Sequence, residues 1–471
     1  MSVSGAVDEI VVIDTGSQDH TVEIAEALGA KCISAIWEHD FSKARNISLE
    51  HATKDYILVL DADEKLMPGM TSILRQTLND HPEADGFFVT IHNHTDSSGW
   101  DETEVSLSVR LFRNRPHYRF SGALHEQIAE KITNGPPPGI LLPSNIAIEH
   151  NGYKAEVVKA KAKAARNIEI AKREFEDHPQ DGFRAFNLGV EYARLEDWEA
   201  AVKFLQLATS EADPMAMWAS RCHKVLISSL MKLGDWESAK RALDVATSKF
   251  AAYTDLFYLR GVYYYQSGEW ALALRDFASC ITMGDPPIPP YLVEQGISSY
   301  KPYFAMGQIY ETTGNKMEAI VAYREAAQSN PSFAEAFLRF ARLLLSESAD
   351  AQTLEYLYQI SAASGEDLQN IWIGTALAYA DHFALARPYL EKVRGHAAAF
   401  LPLGIVYASL GDLRTLSDWL SEVDVDGSVK EKVSNYLIDR GRAVLDDGLK
   451  RFPDDPSLQS LRDEFKEKWG P

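Results

Sequence analysis

Three acidic residues follow an apolar run, and their spacing raises the question of what holds so much negative charge together. The stretch DYILVLDADEKL spans residues 55–66, and its acids are Asp61, Asp63 and Glu64. Carboxylates this close repel one another, so leaving them unpaired is costly. A hard divalent cation relieves that cost and keeps positions free for phosphate oxygens, as on nucleoside diphosphates. A solvated turn that caps the next helix is the alternative interpretation.

The elements that must position these acids alternate between short β-type runs and helical stretches. The predicted strands are residues 9–14, 31–37, 56–61, 86–94 and 106–114, and the predicted helices are residues 21–30 and 42–53. This alternation favours parallel strands joined by crossover helices. Ligands of such sheets bind at the carboxyl ends of the strands. Because Asp14 and Asp61 each end a predicted strand, both are expected at that rim.

From residue 153 onward the strand patterns give way to helices. Residues 153–182 have the composition of one long charged helix, and a two-helix unit then recurs up to residue 466. The unit repeats at close to the period of about 34 residues that is typical of tetratricopeptide repeats, so residues 183–466 are predicted to form an all-α solenoid with a concave, peptide-binding face. A Pro-rich insertion, residues 284–300, breaks the period once. The turns that mark the unit are Asp197-Trp198, Asp235-Trp236 and Glu269-Trp270.

Composition and charge exclude several classes of protein. The formal net charge of −21 disfavours nucleic acid and anionic membranes as partners, since both select basic surfaces. Cys32, Cys222 and Cys280 have no metal-like spacing, and without a signal-peptide pattern they predict a reduced, cytoplasmic compartment. No apolar segment approaches the roughly 20 residues of a membrane-spanning helix, so a soluble protein without a transmembrane segment is predicted.

The motifs around the acids carry a family resemblance. VVIDTGSQDHT contains Asp14, DFSKARN contains Arg45 and Asn46, and ILVLDADE contains Asp61 and Asp63. In this order they resemble glycosyltransferase family 2, which has the Rossmann-like α/β GT-A fold. Together with VRLFRN, HEQI and HNGY they are similar to the bacterial subgroup in which such a domain is joined to tetratricopeptide (TPR) repeats.

The resemblance implies a nucleotide-sugar and metal site. Asp14 would face the uracil or ribose of a nucleoside-diphosphate sugar, and Arg45, with Asn46 beside it, would approach the base or diphosphate. Asp61 would hold the ribose or a metal-bound water, and Asp63 would hold Mn²⁺ or Mg²⁺. Capping of its own turn is the alternative for Asp14, and a surface ion pair is the alternative for Arg45.

The resemblance also places acceptor chemistry later in the domain. An inverting transfer needs a general base for the acceptor's proton; in FSGALHEQI the resemblance implies Glu126 as that base and His125 as a residue that orients substrate. A helix-capping acid beside a packed histidine is the alternative. In AIEHNGY, His150 lies where GT-A enzymes often bring a histidine to the metal, although a structural histidine also fits. Trp100 is a candidate for stacking on a sugar ring or for local packing.

One departure from the family concerns the start of the domain. The family opens with a strand and helix before VDEIVV, whereas here Met1 is followed by SVSGAVDEI. The resemblance implies that the absent strand lies centrally and contacts the base. A start site further upstream, a truncated remnant, or a strand supplied by another chain would each explain the difference.

Taken together, the sequence predicts a cytoplasmic, metal-dependent, inverting glycosyltransferase of the hexosyltransferase type. It would transfer a sugar from a nucleoside-diphosphate sugar, with a UDP-sugar favoured, to a peptide, protein or glycan acceptor. The repeats would bind the acceptor or a partner protein. The predicted domains are residues 1–152 (catalytic), 153–182 (linking helix) and 183–466 (solenoid). The alternative is a TPR scaffold with an inactive catalytic domain. A nucleotidyltransferase fits less well, because it would want a Gly-rich phosphate loop with Lys or Arg.

Overall fold

The computed structural model describes residues 2–3, 5–95, 102–150, 157–214, 216–287, 291, 293–422 and 427–469. The chain divides into two compact units, Met1–Ser298 and Ser299–Pro471, which are described separately. Trp100 and the start of the predicted linking helix lie outside the described residues. The predicted domain boundaries at residues 152 and 182 stay predictions.

The first unit opens with two sheets. One pairs β1 (Val11–Asp14) in parallel with β2 (Lys31–Ser34), and α1 (Thr21–Ala27) joins them. Gly29 follows that helix with a φ of 82°, the left-handed conformation expected of a glycine at a helix C-terminus. The other six strands are β3 (Tyr56–Leu58), β4 (Glu64–Leu66), β5 (Gly86–Thr95), β6 (Glu102–Arg113), β7 (Leu141–His150) and β8 (Val293–Glu294). They form a second sheet in the order β3-β6-β5-β7-β4, with β8 added beside β6.

The prediction of parallel strands is right for β1 with β2 but wrong for the sheet that carries the acids. There, β3 and β4 both pair antiparallel, with β6 and β7 respectively, and only β5 and β7 run parallel. The reason is the long β5–β6 hairpin, which lays its second strand beside β3. Apolar runs indicate buried strands whatever the direction of their neighbours, so the sequence pattern could not reveal this pairing.

Helices cover both faces of the second sheet. The helices that pack on the sheet are α2 (Phe41–His51), α3 (Met70–Asp80) and α4 (Ala129–Thr133). One core contains Leu74 of α3 together with Phe87 and Ile148, and another contains Leu49 of α2 together with Phe112. Apolar side chains therefore fix α2 against the sheet, which matters because α2 carries Arg45.

A run of helices completes the first unit. They are α5 (Val157–Asp177), α6 (Gly182–Arg194), α7 (Trp198–Glu211), α8 (Ala219–Leu233), α9 (Trp236–Lys249), α10 (Thr254–Gln266) and α11 (Trp270–Met283). The predicted acid–Trp turns coincide with helix starts: Asp197 and Asp235 each accept a backbone N–H three residues on, from Ala200 and Ser238. Two of the helix pairs pack closely where a glycine faces a large side chain: Gly189 faces Leu205, and Gly261 faces Phe277.

The insertion that breaks the repeat period returns to the sheet. Its strand β8 pairs antiparallel with Glu104 and Val105 of β6. Lys224 of α8 holds the insertion from the helical side, since its Nζ lies 2.6 Å from Asp255 Oδ1 and 2.5 Å from Glu294 Oε2. The repeats and the sheet are thus joined within the first unit.

The second unit is helical. Its α-helices are α12 (Tyr300–Thr312), α13 (Lys316–Ser329), α14 (Ala334–Leu345), α15 (Ala351–Ser361), α16 (Glu366–Tyr379), α17 (Phe383–Lys392), α18 (Phe400–Ser409), α19 (Leu413–Glu422), α20 (Gly427–Arg451) and α21 (Pro456–Trp469). One continuous apolar core runs through it, with Tyr323, Phe340 and Trp419 among its buried aromatics. Within the described parts of the chain, no helix combines the length and apolarity needed to span a membrane.

Candidate active site

The acids of the opening motif lie in a tight turn between β3 and β4. The Asp61 N–H donates to Glu64 Oε2 (2.8 Å), and the Glu64 N–H donates to the Asp61 carbonyl (3.0 Å). Glu64 is buried, with 2% of its side chain exposed, and burial raises its pKa despite the nearby Arg110. The turn thus separates one buried acid from Asp61 and Asp63, whose side chains are 41% and 44% exposed.

Arg110 balances this charge from β6. Its Nη2 lies 2.8 Å from Glu64 Oε1 and 3.3 Å from Asp61 Oδ2. Val109 pairs with Phe88 and Leu111 with Phe87, so Arg110 is the extra residue of a β-bulge. Bulges redirect side chains and are common beside active sites. The unpaired acids that the sequence suggested are therefore partly neutralised by an arginine from within the fold.

Arg45 joins the acidic turn to the predicted general base. Its Nη2 lies 2.7 Å from Asp61 Oδ1, and its Nε donates to Glu126 Oε1. The guanidinium also lies over the Phe120 ring, 5.5 Å from the centroid. Burial alone would lower the pKa of Arg45, but the carboxylates of Glu126 and Asp61 outweigh it, so its pKa is raised. With 14% of its side chain exposed, Arg45 is not the surface ion-pair partner of the alternative interpretation.

Asn46, the next residue along the chain, forms hydrogen bonds with backbone groups and not with the acidic side chains. Its amide donates to the Phe120 carbonyl (2.9 Å) and accepts from the Phe120 N–H (2.8 Å). This pair of hydrogen bonds ties α2 to the segment that leads into the Glu126 loop. The predicted part in nucleotide-sugar binding stays a prediction; the contacts themselves favour positioning of that loop.

The loop of residues 121–127 carries His125 and Glu126 and is braced by the helices that follow the sheet. Glu174 of α5 accepts the N–H groups of Ala123 (2.7 Å) and Leu124 (3.2 Å). A bridge between Ser121 and Gln127 closes the loop. The loop is therefore held at both its base and its tip, which limits the positions open to Glu126.

His125 is held by the first repeat helix. It has a φ of 56°, a strained conformation for a residue with a side chain, and its Nε2 lies 3.3 Å from Glu191 Oε1. Glu191 of α6 is almost fully buried, and Arg194 Nη1 lies 2.5 Å from the same oxygen. Burial alone would raise the pKa of Glu191, but His125 and Arg194 lower it, so the group is a carboxylate.

Of the three predicted metal ligands, Asp61, Asp63 and His150, the last two contact each other directly. His150 Nε2 is 3.3 Å from Asp63 Oδ2, and its Nδ1 is 2.8 Å from Asn93 Oδ1. Among the described residues no group of three or more His, Cys, Asp or Glu could hold a metal ion. An oxygen and an imidazole nitrogen nevertheless suit Mn²⁺, and Mg²⁺ or Mn²⁺ often takes its other ligands from phosphate and water. These residues therefore fit a cation that arrives with a diphosphate.

Asp14 lies apart from these residues in the sheet topology. It ends β1, and its carboxylate accepts the N–H groups of Gly16 and Ser17, each at 3.2 Å. Hydrogen bonds from Ser17 and Gly16 lower its pKa. These contacts agree with the alternative in which Asp14 caps its own turn, and its predicted part in nucleotide binding stays a prediction.

Sequence reasoning missed the groups that hold the site in place. Arg110 stands in the quoted motif VRLFRN, but only the bulge shows where its side chain points. Glu174 and Glu191 lie on helices that were predicted to be a linker and a repeat, and neither has a local motif. Glu64 is the third acid of the opening motif, and only the fold shows that its side chain is buried.

Two family models match separate parts of the chain. Residues 3–132 match the family model of glycosyl transferase family 2, and residues 300–333 match that of the tetratricopeptide repeat. The resemblance predicted from the motifs is therefore confirmed, as is the fold class: an α/β, GT-A-like layer followed by a long run of TPR-type helices.

Particular relatives support the same combination. The chain is 35% identical over 225 residues to a TPR repeat-containing protein of Synechococcus elongatus, covering 45% of this chain and 53% of that protein. It is 27% identical over 210 residues to the glycosyltransferase SunS of Bacillus subtilis, covering 44% and 48%. A glycosyltransferase of Rickettsia felis is 43% identical over 65 residues, 14% of this chain and 23% of that protein. The chain thus spans about half the length of the first two.

Among solved structures, the C-terminal part of a TPR repeat-containing protein from Cytophaga hutchinsonii is similar with a TM-score of 0.36 and 17% identity. The match covers 53% of this chain and 99% of that one. A likeness of this level carries no argument about function.

Proposed function

We propose that this protein is a metal-dependent, inverting glycosyltransferase that takes sugar from a nucleoside-diphosphate sugar, UDP favoured, and gives it to a peptide, protein or glycan. One contact carries the proposal: Arg45 binds Glu126 and Asp61 at the same time. The acidic turn and the predicted base are far apart in sequence, so a side chain that joins them defines one site. The family match over residues 3–132 supports the reaction class.

In this proposal Glu126 removes a proton from the acceptor's nucleophilic atom while that atom bonds to the anomeric carbon. The bond from the anomeric carbon to the diphosphate oxygen breaks, and its electron pair leaves with the nucleoside diphosphate. In the structure the Glu126 carboxylate accepts a hydrogen bond from Arg45 and is therefore engaged in that ion pair. A donor diphosphate that attracts the Arg45 guanidinium would loosen this ion pair and free the carboxylate. Donor binding would therefore precede deprotonation of the acceptor.

The surrounding residues have supporting parts. Asp63 and His150 would hold the divalent cation, which when bound neutralises charge on the leaving diphosphate. Asn93 fixes the His150 ring through Nδ1, leaving Nε2 directed toward Asp63. Arg110 keeps Asp61 and Glu64 together in the turn. His125 orients the acceptor next to Glu126.

One observation favours the scaffold alternative. In the described residues, the sheet of β1 and β2 that carries Asp14 has no backbone pairing with the sheet that carries Asp61. A nucleotide site divided in this way would bind its base weakly. The protein would then use the repeats for protein binding without catalysis.

A donor titration separates the two functions. Purified protein is titrated with UDP-glucose, UDP-GlcNAc and GDP-mannose in the presence of Mn²⁺, and heat of binding and release of nucleoside diphosphate are measured. The enzyme proposal predicts binding of at least one donor with Mn²⁺-dependent hydrolysis, and absence of binding to all three contradicts it.

A substitution then tests the metal ligands. Asp63→Ala should abolish Mn²⁺-dependent hydrolysis, because it removes the carboxylate beside His150. Asp80→Ala is the matched control, since Asp80 is an exposed acid at the end of α3 that contacts Gln76. Hydrolysis that persists in Asp63→Ala at the level of the control would show that the metal is bound elsewhere.

A further inference from the structure

A cavity of about 580 Å³ lies beside the Glu126 loop. Residues of β5 and β6 form one wall, the loop of residues 121–127 forms its base, and helix α6 with the start of α8 forms the opposite wall. Both His125 and Glu126 line it. Its volume is in the range of ligand sites, which is roughly 300–1,000 Å³. The cavity thus connects the proposed base to the first two helical pairs.

The helical wall of the cavity is aromatic. The rings of Phe186 and Trp218 stack with centroids 5.5 Å apart, and Phe183 lies 5.9 Å from Trp218. Phe183 and Trp218 are partly exposed, so they offer an apolar surface rather than closing a core. Aromatic side chains in such settings supply much of the binding energy of protein interfaces.

A buried amide on the same wall is free to bind a ligand. Asn187 of α6 is 4% exposed and lines the cavity, and among the described residues its side chain makes no hydrogen bond. Because it lines the cavity and has no partner within the described residues, this amide is open to a ligand that enters the cavity. A carboxamide offers both a donor and an acceptor, which is what a peptide group requires.

Apart from the exposed Glu130, the charged side chains that line the cavity are paired within the protein. Arg184 binds Glu174 at 2.6 Å, Arg194 binds Glu191, and Arg45 binds Glu126. Ion pairs that are satisfied within the protein exert little attraction on a charged ligand. The groups left to recognise an occupant are therefore the neutral amide of Asn187, the aromatic rings and, at an exposed position, Glu130; the amide and the rings suit an extended backbone with apolar side chains.

We propose that this cavity is the acceptor site and that its occupant is a peptide segment, held by Asn187 through its backbone and by Phe183, Phe186 and Trp218 through its side chains. The identification of this peptide as the acceptor rests on the proposed function, whereas the binding of a peptide in the cavity does not. Helices α6 and α8 are the first helices of successive pairs, and the faces of such helices form the peptide-binding surface of repeat proteins. The first repeats therefore complete the active site.

The experiment measures binding without any sugar donor. Fluorescently labelled full-length protein is applied to an array of immobilised random-sequence peptides and, in parallel, to an array of immobilised oligosaccharides. The wild type should bind a subset of the peptides. For those peptides, Trp218→Ala and Asn187→Ala should each weaken binding roughly tenfold or more, as expected when a central interface residue is truncated.

Two controls keep the result interpretable. Trp236→Ala removes a tryptophan of α9 that is 39% exposed and does not line the cavity, so its binding should equal that of the wild type. Asn187→Ala loses no hydrogen bond within the described protein, so its thermal stability should be unchanged even if Trp218→Ala proves unstable.

Each remaining outcome overturns the proposal. Absence of peptide binding, or equal binding by Asn187→Ala and the wild type, excludes a peptide in this cavity. Oligosaccharide binding with the same sensitivity to both substitutions would identify a glycan acceptor instead. The donor titration of the wild type decides the proposed function separately, since variant-sensitive peptide binding without donor hydrolysis would leave the cavity assigned and the enzyme rejected.

Discussion

Replacement of Arg45 by methionine tests whether one side chain holds the site together. Methionine keeps much of the length and apolar contact of arginine but removes the charge between Asp61 and Glu126. Asp61 keeps Arg110, 3.3 Å away, whereas Glu126 loses its ion-pair partner and is only 12% exposed. Removing one partner of a buried ion pair costs about 3–5 kcal/mol. Because both side chains keep some exposure, we expect about 3 kcal/mol for Arg45→Met.

A double-mutant cycle isolates the pair. Glu126→Gln alone should cost about 1 kcal/mol, because Arg45 still binds Asp61. If the penalty of Arg45→Met comes from the stranded Glu126 carboxylate, the double variant should recover most of it. If the double variant is destabilised by only about 1 kcal/mol, as Glu126→Gln alone is, the coupling free energy is about 3 kcal/mol, at the upper end of the range found for residues in direct contact.

Native-state hydrogen exchange is the suitable assay, because a chain with two compact units need not unfold in one step. Mass spectrometry of peptides that cover residues 41–51 and 118–130 gives the local free energy of opening. Arg75→Met is the matched control: Arg75 is half exposed and lies 3.8 Å from Asp8, so its loss should cost less than about 0.5 kcal/mol. A coupling of Arg45 with Glu126 below about 0.5 kcal/mol would refute the reasoning.

Two further predictions concern the helices. Burial and the nearby Lys249 lower the pKa of His223 from 6.5 to about 4, so its contribution to stability is complete above pH 6.5 and is lost as pH falls toward 4, by about 3 kcal/mol. His223→Gln should therefore flatten the acid dependence of urea unfolding, and an unchanged slope would contradict this. In the second unit, a Cβ on Gly307 would lie 2.6 Å from the ring of buried Tyr323, so Gly307→Ala should lower the free energy of unfolding by about 1–3 kcal/mol. Gly395→Ala, with open space around it, should change it by less than about 0.5 kcal/mol, and equal melting temperatures for the two variants would show that the helix pair can adjust.

The braced loop bears on how the protein is organised. Glu174 and Glu191 lie on helices beyond the predicted catalytic domain, yet they hold the backbone and side chain of the loop that carries Glu126. The insertion at β8 adds a second link between the helices and the sheet. Contacts that hold the candidate site thus cross the boundary predicted at residue 152, and the compact unit that contains it extends to Ser298.

Much of the fold was open to prediction because its signals are local. Apolar runs marked β1, β5 and β6, and acid–Trp turns marked the starts of α7, α9 and α11. The direction of β3 was not predictable, because an apolar strand carries no mark of its neighbour. The strands β4 and β7 were missed, since Glu64–Leu66 is short and Leu141–His150 contains a proline and several polar residues.

The sequence by itself determined the element types, the repeat period and the identity of the candidate groups, because these depend on spacing along the chain. Only the tertiary structure decided which groups meet: Arg45 with Glu126 and Asp61, Asp63 with His150, and Arg110 turned inward by a bulge. Ion pairs act through space over a few ångströms, so residues distant in sequence become partners only once strands are paired and helices packed. Burial is likewise a property of the folded chain, which is why only the structure singles out the repeat-helix asparagine at position 187, on which the proposal of a peptide site rests.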